Sequence, residues 1–383
     1  MKYSYKHTIA ACFISYVIHA VIVSFAPLLF LTFHETYGIS MHRITYLIIA
    51  NFGVQLLTDL LASHYTLYLG YRKSLVLGQV LCAMGFFLMA ILPEVMPPLT
   101  GLLISISLYA MGGGLLEALI NAVAQGCPTK NKEKIMSLMH SCYSWGVVLT
   151  VLVSTAFFSF VGIGHWRFLA FLFGLLPLGN MFLFLHVPLY PVVETGADVP
   201  NYKELFCQKN FILMLLMMLC AGASEQAVAQ WASAYAEMRL NVSKTMGDLW
   251  GVCGFSALMG VARILYSKWS GQRILKISAI LCVVSYLLIG LTENPLWGLV
   301  GCALCGLSVG AFWPGTFSMA TIRVRNGGTT MFALLAFAGD MGSVLGPMLV
   351  GLGIHSGMNR GVLGAIVFPI LMTICMGIKN KKA

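Results

Sequence analysis

The sequence predicts an all-α membrane protein with twelve transmembrane helices in two pseudo-symmetric six-helix bundles. Hydrophobic residues make up 59% of the 383 residues and charged residues only 9%, whereas a soluble domain carries about 25% charged residues. Long apolar runs fill most of the chain, and a weak repeat relates its two halves. A chain this poor in charge cannot cover a water-facing surface, so we expect it to meet lipid.

The apolar runs have the length that crosses a bilayer, for which about 20 residues suffice. Backbone polar groups in lipid must be satisfied within their own segment, and the runs lack the alternation of barrel strands, so each is predicted to be a helix. The predicted spans 1 to 12 fall near residues 8–33, 43–63, 73–92, 99–125, 136–163, 166–188, 209–236, 246–267, 273–291, 296–321, 328–354 and 361–378.

The domain organisation follows from one polar segment halfway along the chain. Residues 1–188 are predicted to form the N-terminal bundle, 189–208 a cytoplasmic linker that contains PVVETGADVPNYKE, and 209–383 the C-terminal bundle. GGGLLEALIN in span 4 aligns with LSVGAFWPGT in span 10, and MSLMHSCYSWG in span 5 aligns with FALLAFAGDMG in span 11. Parallel repeats of this kind are typical of transporters whose two halves rock about a central site.

The distribution of basic residues predicts the orientation. The net charge is +10, and apart from Arg263 inside span 8, the predicted external loops hold only five cations, Arg43, Arg167, Arg239, Lys244 and Arg360. The positive-inside rule then places both termini in the cytoplasm, in a bacterial inner membrane. Basic residues are not interleaved with aromatic ones, which excludes a nucleic-acid groove. Cys302 and Cys305 lack further ligands, so no metal is expected.

Polar residues inside the spans are the candidates for function. An ionised side chain at the bilayer centre costs at least about 2.5–3.5 kcal/mol on insertion scales, so it persists where a cavity, a partner or a role compensates. Glu117 lies in the middle of span 4, and Asn121 lies one turn later on the same face. We predict that Glu117 takes up a proton and that Asn121 binds substrate. The alternative is a permanently protonated Glu117 bonded to a neighbouring helix.

Span 7 carries a second polar group, formed by Glu225, Gln226, Gln230 and Trp231. Amides form hydrogen bonds with hydroxyls, and an indole covers an apolar C–H face, so this group is predicted to bind a sugar-like solute. The alternative is hydrogen bonding between helices, which is common in membrane proteins.

Further candidates lie in other spans. The predicted substrate-binding residues also include Asn51, Gln55, His140, Tyr143, Ser144 and Trp313. Trp313 and Pro314 are predicted to interrupt span 10. Asp340 is predicted to be either a second titrating site or half of an ion pair. Asp59 and Arg263 lie towards the cytoplasmic ends of spans 2 and 8, where ion pairs could act as gates; the alternative is anchoring at the membrane interface by snorkelling.

The whole chain resembles the major facilitator superfamily, and within it the fucose permease-like sugar:proton symporters. The resemblance is carried in order by GYRKSL after span 2, GGGLLEALIN, HSCYSWG, GASEQAVAQWASAYAE, FWPGTFSMA and FALLAFAGDMG. It implies a twelve-helix fold with alternating access, and it implies that Glu117 takes part in proton coupling. The characterised sugar carriers have an acid in span 1, where this chain has His19 and no carboxylate.

The sequence therefore predicts a proton-coupled symporter of a small, polar, neutral solute, with its site at the interface of the two halves. A neutral solute is favoured because no Lys or Arg is expected near mid-membrane. Its predicted partners are the solute, protons and the lipid bilayer. No cofactor beyond the proton gradient and no nucleic acid are expected, and the chain is expected to be a monomer. The alternatives are a proton-driven exporter and, from another class, a membrane-embedded enzyme or a sensor.

Overall fold

A computed structural model of the protein describes residues 3–129, 132–190, 202–268, 271–325 and 328–377. Over these ranges the chain is helical and contains twelve segments long and apolar enough to cross a membrane, which confirms the predicted fold class. The segments group into two compact units, Met1–Thr195 and Gly196–Ala383. The bounds of the predicted linker stay a prediction, because residues 191–201 lie outside the described residues.

The described residues of the first unit form seven helices. They are α1 Tyr5–Ser24, α2 Phe30–Tyr37, α3 Met41–Leu69, α4 Tyr71–Val95, α5 Pro98–Gly126, α6 Lys132–Val161 and α7 Trp166–His186. A 3-10 turn at Ala26–Leu29 joins α1 to α2. Pro27 lacks the N–H that would continue an α-helix, which explains why the turn tightens there.

The second unit begins with a short helix inside the range predicted for the linker. Its helices are α8 Tyr202–Cys207, α9 Lys209–Ala229, α10 Ala232–Leu240, α11 Lys244–Met246, α12 Gly254–Lys268, α13 Gln272–Leu291, α14 Pro295–Val309, α15 Phe312–Arg323, α16 Gly328–Gly353, α17 Met358–Ala365 and α18 Val367–Gly377. A π-helical segment, Gly247–Cys253, joins α11 to α12.

Three predicted spans are broken in the described part of this unit, and the break in span 12 falls at Ile366, between α17 and α18. Span 10 breaks between α14 and α15 at Gly310 and Ala311. Pro314 has no N–H to donate to the Gly310 carbonyl, so the predicted interruption near Trp313 and Pro314 has a direct cause. Span 7 breaks between α9 and α10, where the Trp231 N–H donates to the Val228 carbonyl, three residues back instead of four. No proline or glycine marks the break of span 7 in the sequence.

Glycine allows the closest helix pairs to approach. In the first unit, a Cβ at Gly114 of α5 would lie 2.6 Å from the Gln55 carbonyl oxygen of α3. In the second, a Cβ at Gly342 of α16 would meet the Leu219 carbonyl of α9. Small residues let helix backbones pack together in this way in membranes. The contact at Gly114 brings the polar face of α3 against α5.

Candidate functional site

The first unit contains a polar cluster centred on Glu117 of α5. The carboxylate oxygen Oε2 lies 3.7 Å from Nε2 of His19 on α1, and the Glu117 side chain is 46% exposed. Asp59 of α3 is within electrostatic range of the same carboxylate. A half-exposed carboxylate beside an imidazole can exchange a proton with water, and two titratable partners lie nearby.

Uncharged hydrogen-bonding groups contact the neighbours of this carboxylate. Tyr16 of α1 donates its hydroxyl hydrogen to Oδ1 of Asn121, one turn beyond Glu117, with an O···O distance of 2.7 Å. Tyr143 of α6 lies with its ring 5.7 Å from the His19 ring, centre to centre. The structure therefore brings two predicted residues, Asn121 and Tyr143, to the neighbourhood of Glu117.

The predicted residues of α3 form a bonded pair beside this cluster. Gln55 donates through Nε2 to Oδ1 of Asn51 over 2.9 Å, and both side chains are buried. A Cβ at Gly113 of α5 would lie 3.4 Å from Oε1 of Gln55, so the amide reaches α5. Asn51 and Gln55 are thus positioned close to the Glu117 helix.

Two further predicted residues belong to α6. Ser144 is buried in the first unit. His140 lies on the same helix, but its side chain falls outside the described residues, so its role stays a prediction.

A second buried polar group in this unit was not predicted. Asn180 of α7 donates to the Ser15 hydroxyl of α1 over 2.9 Å, and Gln79 of α4 donates to the same oxygen over 3.0 Å. These residues sit singly in apolar runs, so no local pattern identifies them. Their bonds tie α1, α4 and α7 together.

The second unit contains a chain of polar groups along α9. Gln226 donates through Nε2 to Oε1 of Glu225, and Gln230 donates through Nε2 to Oε1 of Gln226, each over 3.2 Å. All three side chains are buried. Arg263 of α12 lies 3.7 Å from Glu225, measured from Nη2 to Oε2. The structure thus brings together a residue predicted to bind substrate and one predicted to gate.

The two predicted tryptophans differ in their surroundings. Trp231 is completely buried, and its indole N–H donates to the Pro347 carbonyl of α16 over 3.0 Å. This hydrogen bond joins Trp231 to a neighbouring helix. Binding of substrate by Trp231 stays a prediction. Trp313 of α15 is partly exposed and packs its six-membered ring against Gly339 of α16. Asp340, the next residue after Gly339, is also partly exposed.

A charged cluster lies beyond the end of α9 and was not predicted. Lys244 lies 3.4 Å from Oε1 of Glu237 and 3.2 Å from Oδ2 of Asp248, which is fully buried. The Ser233 hydroxyl donates to Oδ1 of Asp248 over 2.6 Å. Burial raises the pKa of Glu237 above its ordinary value; Lys244 opposes this effect and Asp248 reinforces it. Lys244 and Asp248 are one helical turn apart in sequence, which is the signal that could have identified this pair.

His19 and Tyr16 are the functional candidates that sequence reasoning left out. His19 stands in span 1, where the resembling sugar carriers have an acid, and that difference was its only signal. Tyr16 lies one turn before it, on the same face of α1. Their partners are about 100 residues away on α5, a separation that local patterns do not bridge.

Metal chemistry finds no support in the residues that the structure describes. Within them, no group of three or more His, Cys, Asp and Glu side chains is arranged to hold a metal ion. Cys302 and Cys305 are buried in α14.

Comparison with known proteins places the chain among membrane transporters. A family model described as the Major Facilitator Superfamily matches residues 9–347. Membrane protein MosC of Rhizobium meliloti is 25% identical over 324 residues, which cover 82% of this chain and 75% of that protein.

Solved structures of low sequence identity share the fold. A bacterial homologue of the human lysosomal transporter Spinster, in an inward-facing and unoccupied conformation, has a TM-score of 0.78 at 14% identity and covers 97% of this chain and 96% of its own. A D-xylose-proton symporter has a TM-score of 0.78 at 12% identity, with the same coverage of each chain. The E. coli fucose:proton symporter has a TM-score of 0.66 at 15% identity and covers 99% of this chain and 100% of its own.

These findings agree with one another at the level of fold and superfamily. The superfamily comprises transporters rather than enzymes, in line with the expectation from sequence. The match spans most of the chain, and twelve membrane-crossing helices accompany it among the described residues. The chain is therefore a multi-pass membrane protein that belongs to the major facilitator superfamily.

Proposed function

We propose that this transporter moves a small, polar, neutral, sugar-like solute together with a proton by alternating access. The observation that carries the proposal is the Glu117 cluster: a half-exposed carboxylate at mid-helix, 3.7 Å from His19, with Tyr16 and Asn121 one turn away. The two sugar-proton symporters of the same fold support the solute class, and the branch of the superfamily is part of the proposal.

Protonation of Glu117 is the proposed coupling step. An ionised carboxylate resists transfer into a closed, dehydrated space, and a proton removes that resistance. Uptake of a proton therefore allows the carrier to change state with solute bound. Since a ligand shifts two states only by its differential affinity for them, the proton and the solute must both favour the state that closes. Asp59 is the proposed gate residue beside this carboxylate, and Asp340 keeps its two alternatives, a titrating site or half of an ion pair.

Uncharged groups near Glu117 are proposed to recognise the solute. Tyr16, Asn121 and Tyr143 offer hydroxyl and amide groups that can both donate to and accept from a sugar hydroxyl. We also propose that the protein works as a monomer in a bacterial inner membrane, with both termini in the cytoplasm. This orientation follows from the excess of Lys and Arg in the loops on that side.

The first experiment identifies the solute and then tests coupling. Thermal shifts of the purified protein are measured with D-xylose, L-fucose, D-galactose, simple amines and organic acids. The solute that raises the melting temperature is then followed into pH-clamped proteoliposomes. We expect wild-type accumulation under an inward proton gradient and none after a protonophore. Flux in the opposite direction under the same gradient would indicate an exporter.

The variant Glu117→Gln tests the role of the carboxylate. It should lose gradient-driven accumulation while it retains exchange of solute across the membrane, because only the titrating group is removed. Glu94→Gln is the matched control: its side chain is also 46% exposed but pairs with Arg167. Full gradient-driven accumulation by Glu117→Gln would end the coupling proposal.

A further inference from the structure

Arg263 is a permanent cation held against the polar chain of α9. Its guanidinium lies 3.7 Å from Oε2 of Glu225, and the two side chains are 21% and 5% exposed. Arginine does not lose its proton in proteins. Arg263 therefore stays positively charged beside Glu225 whether or not that carboxyl carries a proton. Arg263 thus provides the positive charge that an ionised Glu225 needs in this buried position.

One oxygen of Glu225 is left without a hydrogen bond. Oε1 accepts from Gln226, but Oε2 is buried and accepts no hydrogen bond from any residue that the structure describes. The 3.7 Å separation from Arg263 is too long for a hydrogen bond. A buried acceptor without a donor costs about 1–3 kcal/mol. Oε2 is thus suited to accept a hydrogen bond from a ligand hydroxyl.

The helices packed on α9 bring other titratable groups near this carboxylate. Cys305 of α14 interacts with Glu225 electrostatically, and the Tyr286 hydroxyl of α13 donates to the carbonyl of the preceding residue, Ser224. Asp340 of α16 follows Gly339, whose carbonyl meets Gly222. None of these three side chains carries a positive charge, and Arg263 is the cation that the described residues place against Glu225.

We propose that Arg263 is a positioning residue that holds Glu225 as an ionised acceptor for a hydroxyl group of the transported solute. This proposal rests on the proposed function and deepens it. The second unit then supplies affinity for a hydroxyl donor without titrating, while proton uptake belongs to Glu117. It further assigns a specificity: a solute whose hydroxyl is replaced by a methoxy group cannot donate to Oε2 and binds more weakly.

Infrared difference spectra between low and high pH test the state of Glu225 directly. The carbonyl stretch of a protonated carboxyl reports buried groups without a reagent and without a substrate. The wild-type protein and Glu225→Gln should give the same carboxyl bands. Arg263→Gln should gain one additional band, which the double variant Arg263→Gln with Glu225→Gln lacks. Arg263→Lys should restore the wild-type spectrum.

Arg239→Gln is the matched control, because it breaks another arginine–glutamate pair, that with Glu293, in the same unit. It should leave the carboxyl bands of the wild type unchanged. A wild-type band that Glu225→Gln removes would overturn the proposal even if Arg263→Gln failed to fold. So would an Arg263→Gln spectrum identical to that of the wild type.

Transport kinetics separate this proposal from the proposed function. For the solute found by thermal shift, Arg263→Gln should raise KM about tenfold or more and lower kcat less, and it should keep gradient-driven accumulation. For the methoxy analogue, the wild type and Arg263→Gln should have the same KM. If the infrared result holds but Glu117→Gln still couples to protons, the coupling proposal fails and the role of Arg263 stands.

Discussion

At the scale of single residues, the structure distinguishes side chains that sequence treats alike. Trp231 and Trp313 were both predicted to bind substrate, yet Trp231 is completely buried with its N–H bonded to Pro347, and Trp313 is partly exposed. The pattern that led to Trp231 was its position beside two amides. Sequence spacing gives the face of a helix, but the rotamer and the partner depend on α16, more than 100 residues away.

The sequence identifies Glu117 as a carboxylate within a predicted span, and its role in proton coupling stays a prediction, but the sequence does not identify its neighbours. The energetic cost of a charge in lipid identifies the residue from sequence alone. Its partner His19 and the Tyr16–Asn121 bond depend on how α1 packs against α5.

Substitution of Tyr16 by Phe tests whether the Tyr16–Asn121 bond serves binding. The change removes the donor to Oδ1 of Asn121 and leaves that amide free to turn away from the solute. We expect KM to rise about fivefold to tenfold, as the loss of about 1 kcal/mol predicts, with a smaller change in kcat. The measurement is initial uptake of the solute found by thermal shift.

Tyr46→Phe is the control for this change. Tyr46 of α3 is 47% exposed, outside the Glu117 cluster, so its loss should leave KM unchanged. An unchanged KM in Tyr16→Phe would remove Tyr16 from the proposed solute site.

At the scale of helices, span number and most boundaries follow from sequence because bilayer thickness fixes the length of an apolar run. The break near Trp313 was predicted because Pro314 is visible in the sequence. The break at Trp231 and the π-helical segment 247–253 were not predicted. Both occur where side chains bond to other helices, and no residue type marks such places.

The α9–α16 pair gives a test of helix packing. A Cβ at Gly342 would overlap the Leu219 carbonyl, which belongs to rigid backbone. We expect Gly342→Ala to destabilise the protein by about 1–3 kcal/mol through overpacking. Thermal unfolding of the purified protein in detergent measures the effect.

Gly364→Ala in α17 is the matched control. No atom lies within 4 Å of a Cβ at Gly364, so alanine should be tolerated there and could stabilise the helix by up to about 1 kcal/mol. Equal melting temperatures for the two variants would show that α9 and α16 can move apart enough to accept the added methyl group.

At the scale of the whole molecule, ion pairs increase the difference in net charge between the two predicted sides of the membrane. That difference is what predicts the orientation. Three of the cations in predicted external loops are paired with acids: Arg167 with Glu94, Arg239 with Glu293, and Lys244 with both Glu237 and Asp248. On the predicted cytoplasmic side, Arg72 donates to the carbonyl oxygens of Phe184, Leu185 and Val187 at the end of α7. These bonds involve no acid, so they do not neutralise the positive charge of Arg72. The orientation itself remains a prediction.

The pH dependence of stability should reflect Glu237. Its folded pKa is raised above the unfolded value, mainly by burial. Such a group stabilises the fold at pH values below its unfolded pKa, and this contribution is lost as pH rises through the folded value. We expect the melting temperature of Glu237→Gln to fall less than that of the wild type as pH rises.

The control for this prediction is Glu293→Gln, which removes a carboxyl whose side chain is 83% exposed. Its melting temperature should follow that of the wild type across the same pH range. A steeper decline in Glu237→Gln than in the wild type would mean that the attraction to Lys244 outweighs the cost of burial.

The π-helical segment determines the direction in which the side chains of the following helix, α12, point. Asp248, near the start of this segment, pairs with Lys244 and accepts a hydrogen bond from Ser233 of α10, while Arg263 lies beyond the segment in α12, where it meets Glu225. Each residue of an α-helix advances by about 100°. If the same residues, Gly247–Cys253, wound as an ordinary α-helix, the later residues of α12 would be rotated by a quarter-turn or more and the guanidinium would point away from α9. The π-helical winding of this segment thus orients Arg263 towards Glu225.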